Sequence, residues 1–257
     1  MDRRRFLAGI GLFTIGGASG AGAMAAVTSL SGETAAEGPT ARTAVPAGTE
    51  SFAATATFRT APTARIVALT IDDGPTREWT PRILEILRRR GARATFYRVG
   101  ERALAAPDLV AQTAAEGHEQ GNHTWAHDDL TQHDEVFDLA SLRRTHELLA
   151  ELTGRAPASC RPPYGRIDSV GIAACASMRY GITLWSAHVT GSNAAADVDT
   201  ITRRPSAGTI ILAHDGGSEP TASLMENLDR LVATMTGRGY RFVTISELLA
   251  STGQPTT

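Results

Sequence analysis

Two short polar segments contain the residue types of a hydrolytic metal site. Asp72 and Asp73 are adjacent within residues 70–75 (TIDDGP), and His123 and His127 stand four positions apart further along the chain. Carboxylate and imidazole ligands suit Zn²⁺ and other borderline divalent ions, and a hydrolase also needs a base beside the metal. Alone, the first segment is typical of a turn, and the histidine spacing arises by chance on many helices. Their joint occurrence predicts a divalent-metal site with one carboxylate left over.

The candidate residues follow predicted strands. An apolar run over residues 66–71 precedes the aspartate pair, and a short strand beginning near His118 leads to His123. Arg161 and His214 also end strand-like runs. The carboxyl ends of parallel strands form the usual ligand-binding face of α/β folds. We therefore expect these side chains to converge, with His118 packed behind the metal loop.

The elements that would position these residues alternate regularly from residue 65 onward. About seven strand-like runs are each followed by an amphipathic helical pattern, which predicts an α/β fold with a parallel sheet. We expect a distorted (β/α)7-type barrel over residues 65–252, forming a single catalytic domain. One helix is predicted to start with Thr80 as its N-cap and Pro81 at its first position, and to stop at Gly91. A longer one is predicted over residues 134–153, with Gly154 at its end.

Composition and charge exclude some classes of partner. The chain has 257 residues, 42% of them hydrophobic and 20% charged, with a formal net charge of −2. These values are ordinary for a soluble globular protein and unlike those of a nucleic-acid-binding domain. We expect a monomer that does not bind nucleic acid.

The N-terminus resembles an export signal. Arg3, Arg4 and Arg5 precede a mildly apolar, glycine- and alanine-rich run, which predicts a twin-arginine signal over residues 1–27. The alternative is an uncleaved membrane anchor, and only this segment would then bind the membrane. Residues 28–64 are predicted to be a flexible linker rich in Ala, Thr and Gly, and residues 253–257 a tail. We expect an exported protein, extracellular or associated with the cell wall.

Four motifs in order carry a resemblance to a known family. They are residues 70–75 (TIDDGP), 121–127 (GNHTWAH), 161–165 (RPPYG) and 211–215 (ILAHD). On these residues the chain resembles the polysaccharide deacetylases of the NodB-homology type, carbohydrate esterase family four, over roughly residues 65–250. The resemblance implies a metal-dependent hydrolase that removes acetyl groups from a polysaccharide.

The resemblance also implies a role for each motif residue. The metal ligands would be Asp73, His123 and His127, holding one divalent ion that is Zn²⁺ or alternatively Co²⁺, Ni²⁺ or Mn²⁺. Asp72 would be the general base that takes a proton from water, and Arg161 would orient Asp72. The backbone N–H of Tyr164 would stabilise the oxyanion, and His214 would protonate the leaving amine.

Three residues are expected to form the substrate pocket under the same resemblance. They are Leu212, Pro163 and Trp185. Leu212 would line the space for the acetyl methyl group. Two of them have a structural alternative: core packing for Leu212, and stiffening of a loop for Pro163.

The fourth motif of the family departs from its usual pattern. Depending on the alignment, His188, Gly191 or Asn193 stands where the family has an acidic residue. The carboxylate that would orient Arg161 is therefore absent. We predict weaker control of Asp72 and an altered substrate groove.

Several hypotheses remain open from the sequence. The leading one is deacetylation of an N-acetylglucosamine-containing polymer, with O-acetylated polysaccharide as a variant. A carbohydrate-binding domain that keeps the metal site but has lost turnover is the alternative, and hydrolysis of a small cyclic amide is a third. Cys160 and Cys175 either form a disulfide, which persists outside the cytoplasm, or remain two buried thiols.

Overall fold

The computed structural model of the protein describes residues 53–253. The strands are β1 (Ala56–Thr57), β2 (Ile66–Asp72), β3 (Ala94–Arg98), β4 (Glu119–Asn122), β5 (Ser159–Cys160), β6 (Gly181–Thr183), β7 (Ala187–His188), β8 (Ile210–His214) and β9 (Arg241–Val243). The helices are α1 (Thr80–Arg90), α2 (Gly100–Ala105), α3 (Pro107–Ala115), α4 (Glu135–Thr153), α5 (Ser169–Ser177), α6 (Ala194–Arg203), α7 (Ala222–Gly237) and α8 (Ile245–Ala250).

These strands form one curled parallel sheet. Its order is β1-β6-β5-β4-β3-β2-β8-β7, and β9 pairs with the first residues of β2 alongside. Every pairing between these strands is parallel, as expected when helices cross over between them. The predicted α/β fold with a single domain is confirmed, and the barrel is an open one whose edges are β1 and β7.

Strand β2 lies inside the sheet, between β3 and β8, and ends at the aspartate pair. All seven of its residues are buried, which explains why its sequence reads as a continuous apolar run rather than an alternating one. Val67, Leu69 and Ile71 pack into the largest core cluster against α1 and α7. The run ends in Asp72, so the polar segment starts where the buried strand stops.

Helix α1 confirms one capping prediction and corrects another. Gly91 ends the helix in the left-handed conformation, with φ of 60°. Thr80 is not the N-cap, since that position is Trp79. The Thr80 hydroxyl instead donates to Asp215 at 2.6 Å and accepts from the N–H of Thr76 at 2.8 Å. The Thr80 side chain therefore binds a carboxylate that is distant in the sequence instead of capping the helix.

Helix α4 begins and ends as predicted. The Asp134 side chain accepts from the N–H of Phe137 at 2.9 Å, and Gly154 closes the helix with φ of 69°. In its first turn Asp138 is fully buried, and neither of its carboxylate oxygens has a hydrogen-bond partner in the described chain. Burial raises the pKa of Asp138 to about 6, and nearby carboxylates, Asp168 first, act in the same direction, while His133 opposes them.

Replacing Asp138 with asparagine is expected to stabilise the protein above pH 6. The pKa of Asp138 is raised in the folded state, so its contribution to stability is present below about pH 4 and is lost as the pH rises through 6. A shift of about two units corresponds to on the order of 2–3 kcal/mol. Urea unfolding of Asp138→Asn should show a gain over the parent at pH 7.5 that shrinks through pH 6 and disappears only below about pH 4. Glu135→Gln, on the same turn but exposed, is the control; an equal gain there would contradict the prediction.

The folded domain begins earlier than predicted. Strand β1 lies within residues 28–64, the predicted linker, and pairs with β6 through Ala56–Ile182 and Thr57–Thr183. A two-residue strand of Ala and Thr has no apolar run, so nothing in its sequence distinguished it from the linker. The predicted export signal over residues 1–27, the linker before residue 53 and the tail after residue 253 lie outside the described residues. Within residues 53–253 no helix is long and apolar enough to cross a membrane.

The two cysteines lie together in a second core cluster. Cys160 and Cys175 are both fully buried and are not joined. A hydrogen bond with Cys175, together with burial, raises the pKa of the Cys160 thiol well above its usual range. The structure therefore has the second of the two predicted arrangements, two thiols packed as small apolar groups.

Candidate active site

The aspartate pair lies at the carboxyl end of β2. Asp72 is the last residue of the strand and is 3% exposed. Asp73 follows with φ of 73°, a conformation that L-residues rarely adopt. The change of backbone direction between them sends the two carboxylates to different partners, so the two acids are not equivalent.

His123 and His127 bring their imidazoles to Asp73. The distances from Oδ1 of Asp73 are 3.5 Å to Nε2 of His123 and 3.1 Å to Nε2 of His127. Nδ1 of His123 lies 2.7 Å from the carbonyl oxygen of Arg161, which can only accept, so Nδ1 carries the proton and Nε2 presents a lone pair. One ligand atom from each of the three side chains lies within 4.8 Å of the others.

These residues fit a divalent metal ion. Oδ1 of Asp73 is buried and has no hydrogen-bond partner among residues 53–253, so the acceptor is left for a cation. The carbonyl bonded to His123 is the kind of outer partner that fixes the tautomer of a metal-binding histidine. Burial acts to raise the pKa of Asp73, but His123 and His127, when they are protonated, outweigh it and hold that pKa well below its usual range. Asp73 is therefore ionised, as a metal ligand must be.

The loop that carries the two histidines is held in a strained shape. Thr124 and His127 both have φ of 63°. The Thr124 hydroxyl accepts from the N–H of Asp128 at 2.7 Å, and the Asp128 carboxylate accepts from the hydroxyl of Ser141 on α4 at 2.6 Å. Strained residues persist where neighbours over-determine them, and they concentrate at functional sites.

Arg161 holds Asp72 and is itself held by backbone oxygens. Its guanidinium is fully buried and donates to Oδ1 of Asp72 at 2.7 Å and to the hydroxyl of Thr70 at 2.7 Å. It also donates to the carbonyls of Thr183 and Leu184, each at 3.1 Å. The other oxygen of Asp72, Oδ2, lies 3.8 Å from Nε2 of His123. One side of the carboxylate is thus fixed, and the other faces the candidate metal site.

A tight turn after Arg161 places an aromatic residue over the histidines. Tyr164 has φ of 60°, is 62% exposed, and its ring meets that of His127 edge-on at 4.6 Å between centroids. Its N–H donates to no carbonyl in the part of the chain described. Pro163 is buried beneath this turn, and a Cβ on Gly165 would lie 2.8 Å from the ring of Trp185, so Trp185 packs directly against the turn.

Strand β8 presents Leu212 and His214 on one face. Its alternate residues Ile211 and Ala213 pack into the core cluster, whereas Leu212 is buried outside that cluster and His214 is half-buried at the strand end. His214 is the register partner of Asp72 on β2. Its Nδ1 is buried without a hydrogen-bond partner in the described residues. The predicted metal ligands, base and acid thus lie at or beyond the carboxyl ends of their strands. Leu212 lies two residues earlier on β8, and the other predicted pocket residues follow β5 and β6.

Three residues that the sequence analysis missed also support Asp73. The guanidinium of Arg102 donates to the Asp73 carbonyl. A Cβ on Gly216 would overlap that same carbonyl, and one on Gly217 would come 3.0 Å from the Asp73 carboxylate. The adjacent glycines after Asp215 were the available signal, since glycine is used where another backbone approaches closely.

The fourth-motif residues do not reach Arg161. His188 is exposed and lies 4.0 Å from Asp197, and the N–H of Gly191 donates to Glu219 at 2.8 Å. Asn193 is the exposed N-cap of α6. The absence of an acidic residue here does leave Arg161 without a second carboxylate, but two carbonyls and Thr70 accept from three of its four other N–H donors.

Asn193→Asp is accordingly expected to leave acetate release within about twofold of the parent, because its side chain makes no contact with Arg161 or Asp72. Initial rates on acetylated glucosamine oligomers would measure this. Thr70→Val, which removes a hydroxyl that does contact Arg161, is the matched comparison and should lower the rate. A large gain in Asn193→Asp would mean that the fourth motif does limit the base.

Comparisons with known proteins identify relatives of the chain. A protein-family model described as "Polysaccharide deacetylase" matches residues 59–182. A peptidoglycan-N-acetylglucosamine deacetylase of Bacillus cereus is 34% identical over 185 residues, covering 71% of this chain and 67% of that protein.

Two solved structures extend the comparison to the fold. A peptidoglycan N-acetylglucosamine deacetylase in complex with 4-naphthalen-1-yl-N-oxidanyl-benzamide has a TM-score of 0.70 and 29% identity, covering 79% of this chain and 94% of that one. A mutant of a CE4 family pseudoenzyme with restored enzymatic activity has a TM-score of 0.68 and 25% identity, covering 76% and 71%. Active and inactive relatives therefore share this architecture.

Proposed function

Since the chain belongs to the polysaccharide deacetylase family, we propose that it is an exported, metal-dependent deacetylase of an N-acetylglucosamine-containing polysaccharide. The observation that supports this best is the division of the aspartate pair. Asp73 faces two imidazole Nε2 atoms, while Asp72 is tied to Arg161 on one side and free on the side facing His123. A ligand and a base are thus built from adjacent residues.

The divalent ion would be held by Asp73, His123 and His127, which together favour Zn²⁺ and admit Co²⁺, Ni²⁺ or Mn²⁺. When bound there, such an ion supplies Lewis-acid chemistry, polarising a carbonyl and lowering the pKa of water. Three protein ligands leave positions open, as hydrolytic rather than structural sites require.

Asp72 is proposed as the general base. Its Oδ2 is the oxygen free to take a proton from water, and the charge-assisted hydrogen bond from Arg161 prevents the carboxylate from rotating away. His214, on the neighbouring strand and level with Asp72, is the proposed acid that gives a proton to the departing amine nitrogen. Base and acid therefore stand on adjacent strands.

The remaining site residues would bind the acetyl group. The unpaired N–H of Tyr164 is the proposed donor to the oxygen on which negative charge develops. Leu212 would contact the acetyl methyl, with Pro163 and Trp185 fixing the turn that carries Tyr164. A methyl group in a small apolar pocket distinguishes acetyl from longer acyl groups.

Peptidoglycan is the proposed polymer, since the Bacillus cereus relative carries that substrate in its name. An exported protein would meet this polymer outside the membrane, in keeping with the predicted signal over residues 1–27 and a linker after it. A monomer suffices, because every proposed catalytic side chain comes from one chain.

A catalytically weakened carbohydrate-binding domain is the second candidate. The observation that favours it is the buried Nδ1 of His214, which lacks a hydrogen-bond partner in the described residues. A catalytic acid is normally oriented through its other ring nitrogen. Acetate release separates this candidate from the first.

Acetate release should depend fully on the metal. Protein loaded with Zn²⁺ is expected to release acetate from N-acetylglucosamine oligomers and from peptidoglycan, and chelator-treated protein should lose at least about 99% of that rate because the polarising charge is gone. Restoring Zn²⁺ should restore the rate. Release that survives chelation would refute the metal-dependent mechanism, and oligomer binding without release would favour the carbohydrate-binding domain.

A further inference from the structure

A cavity lies at the opposite end of the sheet from the proposed catalytic residues. Its volume is about 450 Å³, within the usual range for small-molecule sites. It is lined by residues that precede β3, β4 and β5 and by the start of α8. His118 belongs here: it stands at the entrance to β4, whereas His123 follows the end of that strand. The prediction that His118 packs behind the metal loop was therefore wrong.

The carboxylates of this distal cavity are already used by the protein. Glu119 accepts from the hydroxyl of Thr95 at 2.9 Å and from both the N–H and the hydroxyl of Ser246, at 3.0 and 2.6 Å. Glu247 accepts from the N–H of Thr244 at 3.0 Å and pairs with Arg93. Both oxygens of each carboxylate therefore already have partners within the protein.

The polar groups left over in the distal cavity are all donors. Gln120 is 7% exposed; its Oε1 accepts from Arg98 at 3.2 Å, and its Nε2 has no partner in the described chain. Nδ1 of His118 accepts from the N–H of Ala94 at 3.2 Å, which leaves the proton on Nε2. Arg155 is exposed at the rim, and only its backbone groups make hydrogen bonds in the described residues.

The charges of the side chains that line the distal cavity limit the chemical class of ligand that it can bind. Burial lowers the pKa of His118 to about 4, so at neutral pH this histidine is an uncharged donor. Arg155 is then the one cation lining the cavity without a carboxylate partner in the described part. The remaining carboxylate, Glu119, is stabilised by its three neutral donors from Thr95 and Ser246. Beside them, one positive charge with two neutral donors matches a monoanion and leaves a phosphate dianion under-compensated. The wall beside them is apolar and made of small side chains: Ala111, Ala114, Ala115, Leu152 and Ala156.

We propose that the distal cavity binds a small organic monocarboxylate, its carboxylate held by Arg155, His118 and Gln120 and its apolar body lying against the alanine-rich wall of α3. This site is separate from the acetyl-binding end of the sheet. The ligand carboxylate would accept a hydrogen bond from Nε2 of Gln120, which would remove the free-energy cost of leaving that buried donor unpaired.

Hexanoate is a suitable probe for the distal cavity, with hexanamide as its uncharged counterpart. When hexanoate is titrated into the Zn²⁺-loaded full chain, the NMR signals of the backbone amides of residues 117–120 and 152–156 should shift and reach saturation. Hexanamide should bind at least about tenfold more weakly because it lacks the charge. Arg155→Gln removes the cation from an exposed position and should weaken hexanoate about tenfold. Ala114→Leu fills the wall and should do the same.

Arg143→Gln is the control, since it removes an exposed arginine from α4 outside the cavity and should change the hexanoate Kd by less than about twofold. The proposal is overturned if hexanamide binds as tightly as hexanoate, if Arg155→Gln has no effect, or if the shifts occur only around His123 and the metal. Acetate release measured on the same variants keeps this result independent of the deacetylase proposal.

Discussion

Asp72→Asn is expected to lower acetate release by about 10²–10⁴-fold, the range associated with losing a general base. Asparagine has the same shape and can still accept one hydrogen bond from Arg161. Its amide cannot take up a proton, so the step that activates water loses its acceptor. Rates on N-acetylglucosamine oligomers, together with the zinc content of the purified variant, measure the effect.

Asp73→Asn is the matched control for Asp72→Asn. Both variants replace one acid of the pair, but Asp73 is the residue that faces His123 and His127. Asp72→Asn should therefore keep its zinc while losing its rate, and Asp73→Asn should lose zinc, with part of the rate returning at high Zn²⁺. If Asp72→Asn kept more than a tenth of the parent rate, Asp72 would not be the base.

This division between Asp72 and Asp73 could be predicted from sequence only through the family resemblance. Ligand-binding residues follow the carboxyl ends of parallel strands. This rule needed only the buried run of β2 and the polar residues after it, and it placed His123 and His214 at the same end as the aspartates. Which acid faces which partner depends on the positive φ of Asp73. Two identical residues in the sequence do not reveal this difference in backbone conformation.

The partners of Arg161 could not be predicted, for a related reason. Its orienting contacts include the carbonyls of Thr183 and Leu184. Every residue has a backbone carbonyl, so a contact of this kind cannot be recognised from the residue types in the sequence. The absence of a carboxylate from the fourth motif predicted a weakened base. The contacts indicate instead that backbone acceptors hold the guanidinium in place.

Strand β1 and Thr80 show two further limits of sequence reasoning. β1 is an edge strand of two small residues, and its place is fixed by pairing with β6, far along the chain. Thr80 satisfies the local rule for an N-cap, yet its hydroxyl binds Asp215. In both cases a long-range partner outweighs the local pattern, and the pattern alone cannot reveal that partner.

The partner of Thr80 belongs to the most deeply buried ion pair described in the chain. Arg98 and Asp215 are both fully buried, and Nη1 of Arg98 lies 2.8 Å from Oδ2 of Asp215. Arg98 also donates to Gln120 at 3.2 Å and to Thr113 at 3.1 Å. Burial lowers the pKa of the Arg98 guanidinium, and the Asp215 carboxylate acts in the opposite direction. The charge on Arg98 is therefore sustained by Asp215.

Asp215 also links the buried ion pair to the candidate active site. It directly follows His214, its N–H donates to the Asp72 carbonyl at 3.0 Å, and a Cβ on Gly74 would overlap its carboxylate. The loop after Asp73 can therefore lie where it does only because Gly74 has no side chain there. Disturbing Asp215 should displace both the proposed base and the proposed acid.

Asp215→Asn is expected to lower the free energy of unfolding by about 3–5 kcal/mol, because it leaves the buried Arg98 charge without a counter-ion. Urea unfolding at pH 7.5 measures this. Asp108→Asn is the control: it breaks the Arg77–Asp108 pair, whose side chains are 66% and 61% exposed, and should cost less than about 1 kcal/mol. The double variant Arg98→Met/Asp215→Asn removes the uncompensated charge and should recover part of the loss. If Asp215→Asn cost no more than Asp108→Asn, the buried pair would not be what secures the loop beneath the catalytic residues.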